Sequence, residues 1–95
     1  MRCKLSRLAD SDLEEIADYI ARDNPRRALS FVRELRDRCK KITSFPNAAR
    51  LRPELGEGIR TVSYGRYVIC YTVQSGEVRI ERIAQGGRNL TDLFC

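Results

Sequence analysis

The sequence predicts an α+β fold in the order β-α-α-β-β-β, and three observations carry that prediction. Apolar residues recur at helical spacing between Leu13 and Ile42, they fall in short alternating or aromatic runs between Ile59 and Ala84, and turn formers such as Asn24-Pro25, Gly65-Arg66 and Gln74-Ser75-Gly76-Glu77 punctuate both regions. At 95 residues the chain has the usual size of one unit with one modest core, so 1–95 is read as a single domain.

Cys3 to Leu8 is short, basic and alternating, with Cys3, Leu5 and Arg7 on one side, as expected of an edge strand. Ser11 with Glu14 three residues later reads as a capping box, and Leu13, Ile16, Ala17 and Ile20 give the apolar stripe of a first helix. The residue before a proline is pushed out of helical geometry, so this helix stops before Asn24-Pro25, and the same pair caps a second. Ala28, Phe31, Val32, Leu35, Cys39 and Ile42 carry one apolar face to a stop near Phe45-Pro46. The two helices form an antiparallel hairpin.

From Asn47 to Gly58 the apolar period fails and Pro53, Gly56 and Gly58 mark a loop. Ile59 to Tyr64, Tyr67 to Val73 and Val78 to Ala84 read as three strands of an antiparallel meander. Strands this short need a covered face, and the helical hairpin supplies the apolar stripes that cover it, all strands joining one sheet.

Charge is distributed unevenly. Asp10 to Asp23 holds six acidic residues and one arginine, a net of −5, whereas Pro25 to Lys41 holds seven basic and two acidic residues, a net of +5. Lying side by side, the two helices are expected to attract weakly along their rims. The overall charge of +5 suits an acidic partner, either nucleic acid or an acidic protein segment.

No apolar run approaches the ~18 residues of a membrane span, and the N-terminus lacks the apolar core of a signal peptide, so a soluble, cytoplasmic protein is expected. Cys3, Cys39, Cys70 and Cys95 are scattered, without a C-x-x-C pair; they read as reduced, mostly buried thiols, with a disulfide or redox role as the alternative and Cys95 as the exposed one. The chain contains no histidine, which removes the commonest acid–base and zinc constellations, and neither a metal nor another cofactor is expected. The carboxylates of the first helix read as a solvated face.

That leaves the arginines and aromatics of the sheet. Arg60, Arg66, Arg82 and Arg88, with Tyr64, Tyr67 and Tyr71, form a surface able to stack bases, clamp phosphates or receive acidic peptide groups, or simply to pack and solubilise. Strict alternation puts Arg82 on the face of Val78 and Ile80, where a cation requires a partner.

The run Asp12-Leu13-Glu14-Glu15-Ile16-Ala17-Asp18-Tyr19-Ile20, then Asn24-Pro25, Phe45-Pro46, Arg52-Pro53-Glu54-Leu55-Gly56, Gly65-Arg66-Tyr67-Val68-Ile69-Cys70-Tyr71 and Ile83-Ala84-Gln85-Gly86-Gly87-Arg88-Asn89-Leu90 resembles the ParE toxins of the RelE/ParE superfamily. The resemblance implies the toxin half of a bacterial type II toxin–antitoxin pair, held in a hetero-oligomer, up to a heterotetramer, by a ParD-like antitoxin whose C-terminal segment wraps it. ParE proteins are associated with poisoning DNA gyrase, and contact with DNA would then be indirect; RelE relatives cleave messenger RNA on the ribosome.

In the RelE pattern two arginines and a tyrosine occupy positions that here carry Val68, Arg88 and Phe94. Valine cannot stabilise a phosphorane's charge and phenylalanine has no hydroxyl, so the resemblance favours a non-catalytic gyrase inhibitor. A departure from the ParE pattern is Gln85, where many members carry histidine. The residues expected to bind antitoxin or target are Arg60, Arg66, Tyr67, Arg82, Arg88 and Phe94, with no catalytic residue assigned. A ribosome-dependent ribonuclease and a non-toxic regulatory member are the alternatives.

Overall fold

A computed structural model describes residues 1–94. The elements are β1 (Arg2–Leu5), α1 (Arg7–Ala21), α2 (Pro25–Ile42), β2 (Arg60–Tyr64), β3 (Tyr67–Gln74) and β4 (Glu77–Gln85), followed by a short 3-10 helix at Leu90–Leu93. One sheet has the order β1-β4-β3-β2; β2, β3 and β4 form the expected antiparallel meander, and β1 joins it parallel to β4.

The first helix starts earlier than its sequence signal. Ser6, not Ser11, is the cap, and its hydroxyl accepts from the Ala9 amide at 3.0 Å while donating to the Glu81 carbonyl at 2.8 Å. The Ser6 amide also bonds the Ile80 carbonyl at 2.9 Å. The cap is thus chosen by a contact with β4, 75 residues away, which a local capping pattern does not contain. Ser11 lies inside the helix, and β1 ends at Leu5 rather than Leu8. At α2 the local signals suffice. Asn24 accepts from the Arg27 amide at 3.1 Å, Pro25 opens the first turn, and Lys40 and Lys41 sit in the last turn where the helix dipole favours cations. That helix ends at Ile42, just short of Phe45-Pro46.

One core was expected and two apolar clusters are found, one on each face of the sheet. Against the helices, Ala9, Leu13, Phe31, Leu35, Cys39 and Ile42 pack on Ile69, Tyr71, Val78, Ile80 and Ile83. On the opposite face Leu55, Ile59, Cys70, Ala84 and Leu90 form a smaller cluster, joined by Val68, Leu93 and Phe94. The turn-rich segment 52–59 and the 3-10 helix cover that second face.

A bulge allows β4 to serve both clusters. Tyr71 lies opposite Ile80 and Cys70 opposite Arg82, so Glu81 is an extra residue on β4. Beyond it the alternation is inverted: Ile83 takes up the helix-facing side, and Arg82 and Ala84 share the side of Cys70. The expected placement of Arg82 beside Val78 and Ile80 is therefore corrected, because strict alternation does not survive an inserted residue.

The expected rim attraction between α1 and α2 does not take the form of ion pairs; among the described residues none joins them, and Arg27 instead pairs with Glu34 inside α2 at 2.8 Å. The outer edge of β2 is closed. The Thr61 amide donates to the Arg50 carbonyl at 3.4 Å, and the Arg38 guanidinium donates to the Ser63 carbonyl at 3.2 Å. At the other edge β1 has only four residues and exposes Arg2 and Lys4. No described helix is long and apolar enough to cross a membrane.

Candidate functional site

Two turns meet at one end of the sheet. The β2–β3 turn at Gly65-Arg66 is bonded to the segment after β4, the Gly86 amide donating to the Arg66 carbonyl at 2.7 Å. A Cβ on Gly86 would lie 3.3 Å from that oxygen and 3.6 Å from a Val68 methyl, so glycine permits the close approach. The contact gathers Arg66, Tyr67 and Arg88. Both arginines are exposed, and neither guanidinium has a side-chain or backbone partner among the described residues.

Arg88 stands between two clefts. One, of about 190 Å³, lies between α1 and β4 and is lined by Glu15, Ile16, Tyr19, Tyr67 and Gln85; the other, of about 310 Å³, is lined by Arg52, Leu55, Val68, Asn89 and Thr91. Asn89 caps the 3-10 helix by accepting from the Thr91 amide at 3.2 Å and its hydroxyl at 2.6 Å, which fixes the chain immediately after Arg88. Val68 and Phe94 lie in the apolar cluster beneath this cleft, half-buried against Leu55, Ile59, Cys70, Ala84 and Leu90.

Arg60 and Arg82 are occupied inside the molecule. Arg60 donates to the Asn47 and Ala49 carbonyls at 3.1 and 2.6 Å, fastening the loop after α2 to β2. Arg82 meets Asp12 of α1 through two bonds of 2.8 and 2.9 Å, and it also reaches the Leu93 carbonyl at 3.4 Å. Asp12 further accepts from the Ile83 amide at 3.0 Å, satisfying a strand group beyond the end of β1. With side-chain exposures of 17% and 12%, this pair is the most sheltered ion pair among the described residues. The hydrogen bond to Asp12 holds the guanidinium above its already high pKa.

Asp12 therefore departs from the solvated acidic face expected of the first helix. Its position four residues before Ile16, at the border of the apolar stripe, was the available signal. The tyrosines divide likewise. Tyr71 is 1% exposed and donates to the Pro46 carbonyl at 2.8 Å, so it is core rather than a stacking platform. Tyr64 and Tyr67 pack on Phe31 with ring centroids 5.9 and 5.2 Å apart, and Tyr64 also donates to Glu34.

Sequence reasoning missed a separate groove at the end of α2. Phe45, which reads in sequence as a helix terminator, is 75% exposed. It lines a cavity of about 400 Å³ with Ile42, Ala48, Ala49, Val62 and Tyr71, and Arg38 and Lys41 form the rim.

This arrangement is shared with a solved chain of a chromosomal ParDE toxin–antitoxin system from P. aeruginosa, which is 27% identical, superposes with a TM-score of 0.77, and is covered over 95% of its length by 90% of this chain. The likeness sets the class as a component of a toxin–antitoxin system. A family model described as the ParE toxin of the type II toxin–antitoxin system parDE matches residues 3–90, and the chain belongs to that family. Among curated proteins there is no match.

Proposed function

We propose that this ParE toxin acts in the cytoplasm by binding DNA gyrase without catalysing a reaction, and that a ParD-like antitoxin neutralises it. The observation that carries the reading is an exposed, unpartnered Arg88 lining one cleft with the apolar side chains of Leu55, Val68 and Leu90, whose cluster Phe94 also packs against. Such a site grips a surface by one cation and apolar contact, and it offers no side chain that titrates near neutrality to move a proton. Arg66 and Tyr67 extend the contact, while Arg60 and Arg82 support it by holding the loop and α1 in place.

The antitoxin is assigned to the groove at Phe45. An amphipathic segment would place apolar side chains against Ile42, Phe45 and Val62 and its carboxylates beside Arg38 and Lys41. One observation bears on the ribonuclease alternative: Arg52 lines the Arg88 cleft as a second guanidinium, though its Nε is already paired with Glu54 at 2.8 Å, so only Arg88 is free there to meet an RNA phosphate.

The test follows DNA and protein synthesis separately after induction without antitoxin, and assays supercoiling by purified gyrase with the wild-type chain, Arg88→Ala and Arg36→Ala. Early loss of DNA synthesis, with Arg88→Ala at least tenfold weaker than Arg36→Ala, is the expected outcome. Early loss of protein synthesis with cut RNA would transfer the site to the ribonuclease reading. Normal growth on strong expression would leave only a regulatory role in complex with antitoxin.

A further inference from the structure

The outer side of α2 carries cations that the fold does not use. Arg26, Arg33 and Lys40 recur every seven residues, so they stand in one row, two turns apart, on the far side of the helix from the buried Phe31, Leu35 and Cys39. All three are exposed, and none has an ion pair or a side-chain hydrogen bond among the described residues, although the acidic α1 packs alongside. Arg36 and Asp37 flank the row on either side and offset one another, so it keeps three unopposed charges.

The start of α2 adds an independent sign. Its first turn holds no acidic residue, and Arg26 stands there although the helix dipole disfavours a cation at that end. An anion laid along the row removes this repulsion.

We propose that the row is a surface for the phosphate backbone of duplex DNA, which this chain contacts directly and without regard to base sequence. Helical rise separates successive cations by about 10.5 Å and spreads them over about 21 Å of a straight rod, a geometry suited to a stiff polyanion. An α-helix is about 10–12 Å across; the ~12 Å major groove of B-form DNA admits it, whereas the deep, narrow major groove of duplex RNA does not.

Composition argues against a protein partner. Interface cores are apolar and depleted of charge, and on this face Leu29, 70% exposed, is the one large exposed apolar residue. Phosphate binding instead needs unpaired cations, because release of counterions supplies the free energy. The resemblance to ParE toxins made contact with DNA indirect; the row supplies a direct one, and it stands whether or not gyrase is the target.

The experiment titrates the full-length chain into a short fluorescent DNA duplex of arbitrary sequence and reads anisotropy between about 50 and 200 mM salt. Three phosphate contacts give a slope of about −2.7 in log affinity against log salt, a fall of about 40-fold across that range. Arg26→Ala/Arg33→Ala/Lys40→Ala, with folding checked by circular dichroism, should bind at least about tenfold more weakly at the lowest salt and flatten the slope towards zero. Each single substitution should reduce the slope by about 0.9. Arg2→Ala/Lys4→Ala/Arg50→Ala removes three other exposed cations without side-chain partners and should keep the wild-type slope. Three outcomes would overturn the proposal: equal losses in the two triple variants, which would leave only net charge; tighter binding to an RNA duplex or to polyglutamate, which would give the row to RNA or to an acidic protein; or no binding at the lowest salt.

Discussion

One face of the sheet is covered by two helices that bury Phe31, Leu35 and Ile42 against Tyr71, Val78 and Ile80; the other is covered by residues 52–59 and a single 3-10 turn. The helices satisfy their own backbone and contribute whole apolar stripes, so that face holds most of the buried volume. The second face has fewer anchors, yet it abuts the cleft of the exposed Arg88. The proposed gyrase contact at Arg88 thus abuts the more lightly anchored side of the sheet, whereas the proposed antitoxin groove at Phe45 opens beside the helix-covered one.

The comparison breaks most sharply at Leu35, which is 1% exposed. Leu35→Ala should cost about 4 kcal/mol, read as a lower urea midpoint with unchanged slope. Next comes Asp12→Asn, which leaves Arg82 sheltered without its carboxylate and should cost about 3 kcal/mol in the same assay. Because this pair ties α1 to β4 and, through Leu93, to the second face, a loss no larger than that of an exposed ion pair would show the two faces to be independent.

Leu90→Ala should cost only about 2 kcal/mol, since Leu90 lies at the margin of the smaller cluster. Its effect on gyrase inhibition should nevertheless exceed that of Leu35→Ala when both are measured as folded protein at low temperature. Equal inhibition by the two would remove the link between the second face and binding.

The smallest effect concerns pH. Hydrogen bonds from Tyr64 and then Arg27 lower the Glu34 pKa on the helix surface. That stability is present above the ordinary glutamate pKa of about 4.3 and is lost as pH falls through the lowered value. Tyr64→Phe should flatten this acid limb slightly, as seen in thermal melts across the acid range, without altering the neutral value of Arg88-dependent inhibition.

What the sequence disclosed were features decided over a few residues. Asn24-Pro25 fixes the hairpin, Gly65-Arg66 fixes the β2–β3 turn, and the apolar stripe of α2 names its own core residues. Features decided between distant segments stayed hidden. The Ser6 cap depends on β4, the inverted facing of Arg82 depends on Glu81 being unpaired across the ladder, and Asp12 became structural only when α1 crossed the strand edge. The candidate arginines were identified as a group, but which were free depended on the Asn47 and Ala49 carbonyls, which carry no side-chain signature, and on Asp12, 70 residues from Arg82.

Edge closure has a consequence for a toxin stripped of its antitoxin. A sheet with a naked border invites a second copy to zip on and then a third, the start of a fibril. Here Arg38 and Arg50 occupy groups along one border, and the other is four residues long and bears two cations. Neither border therefore presents a long, open row of backbone groups to the strand of another copy.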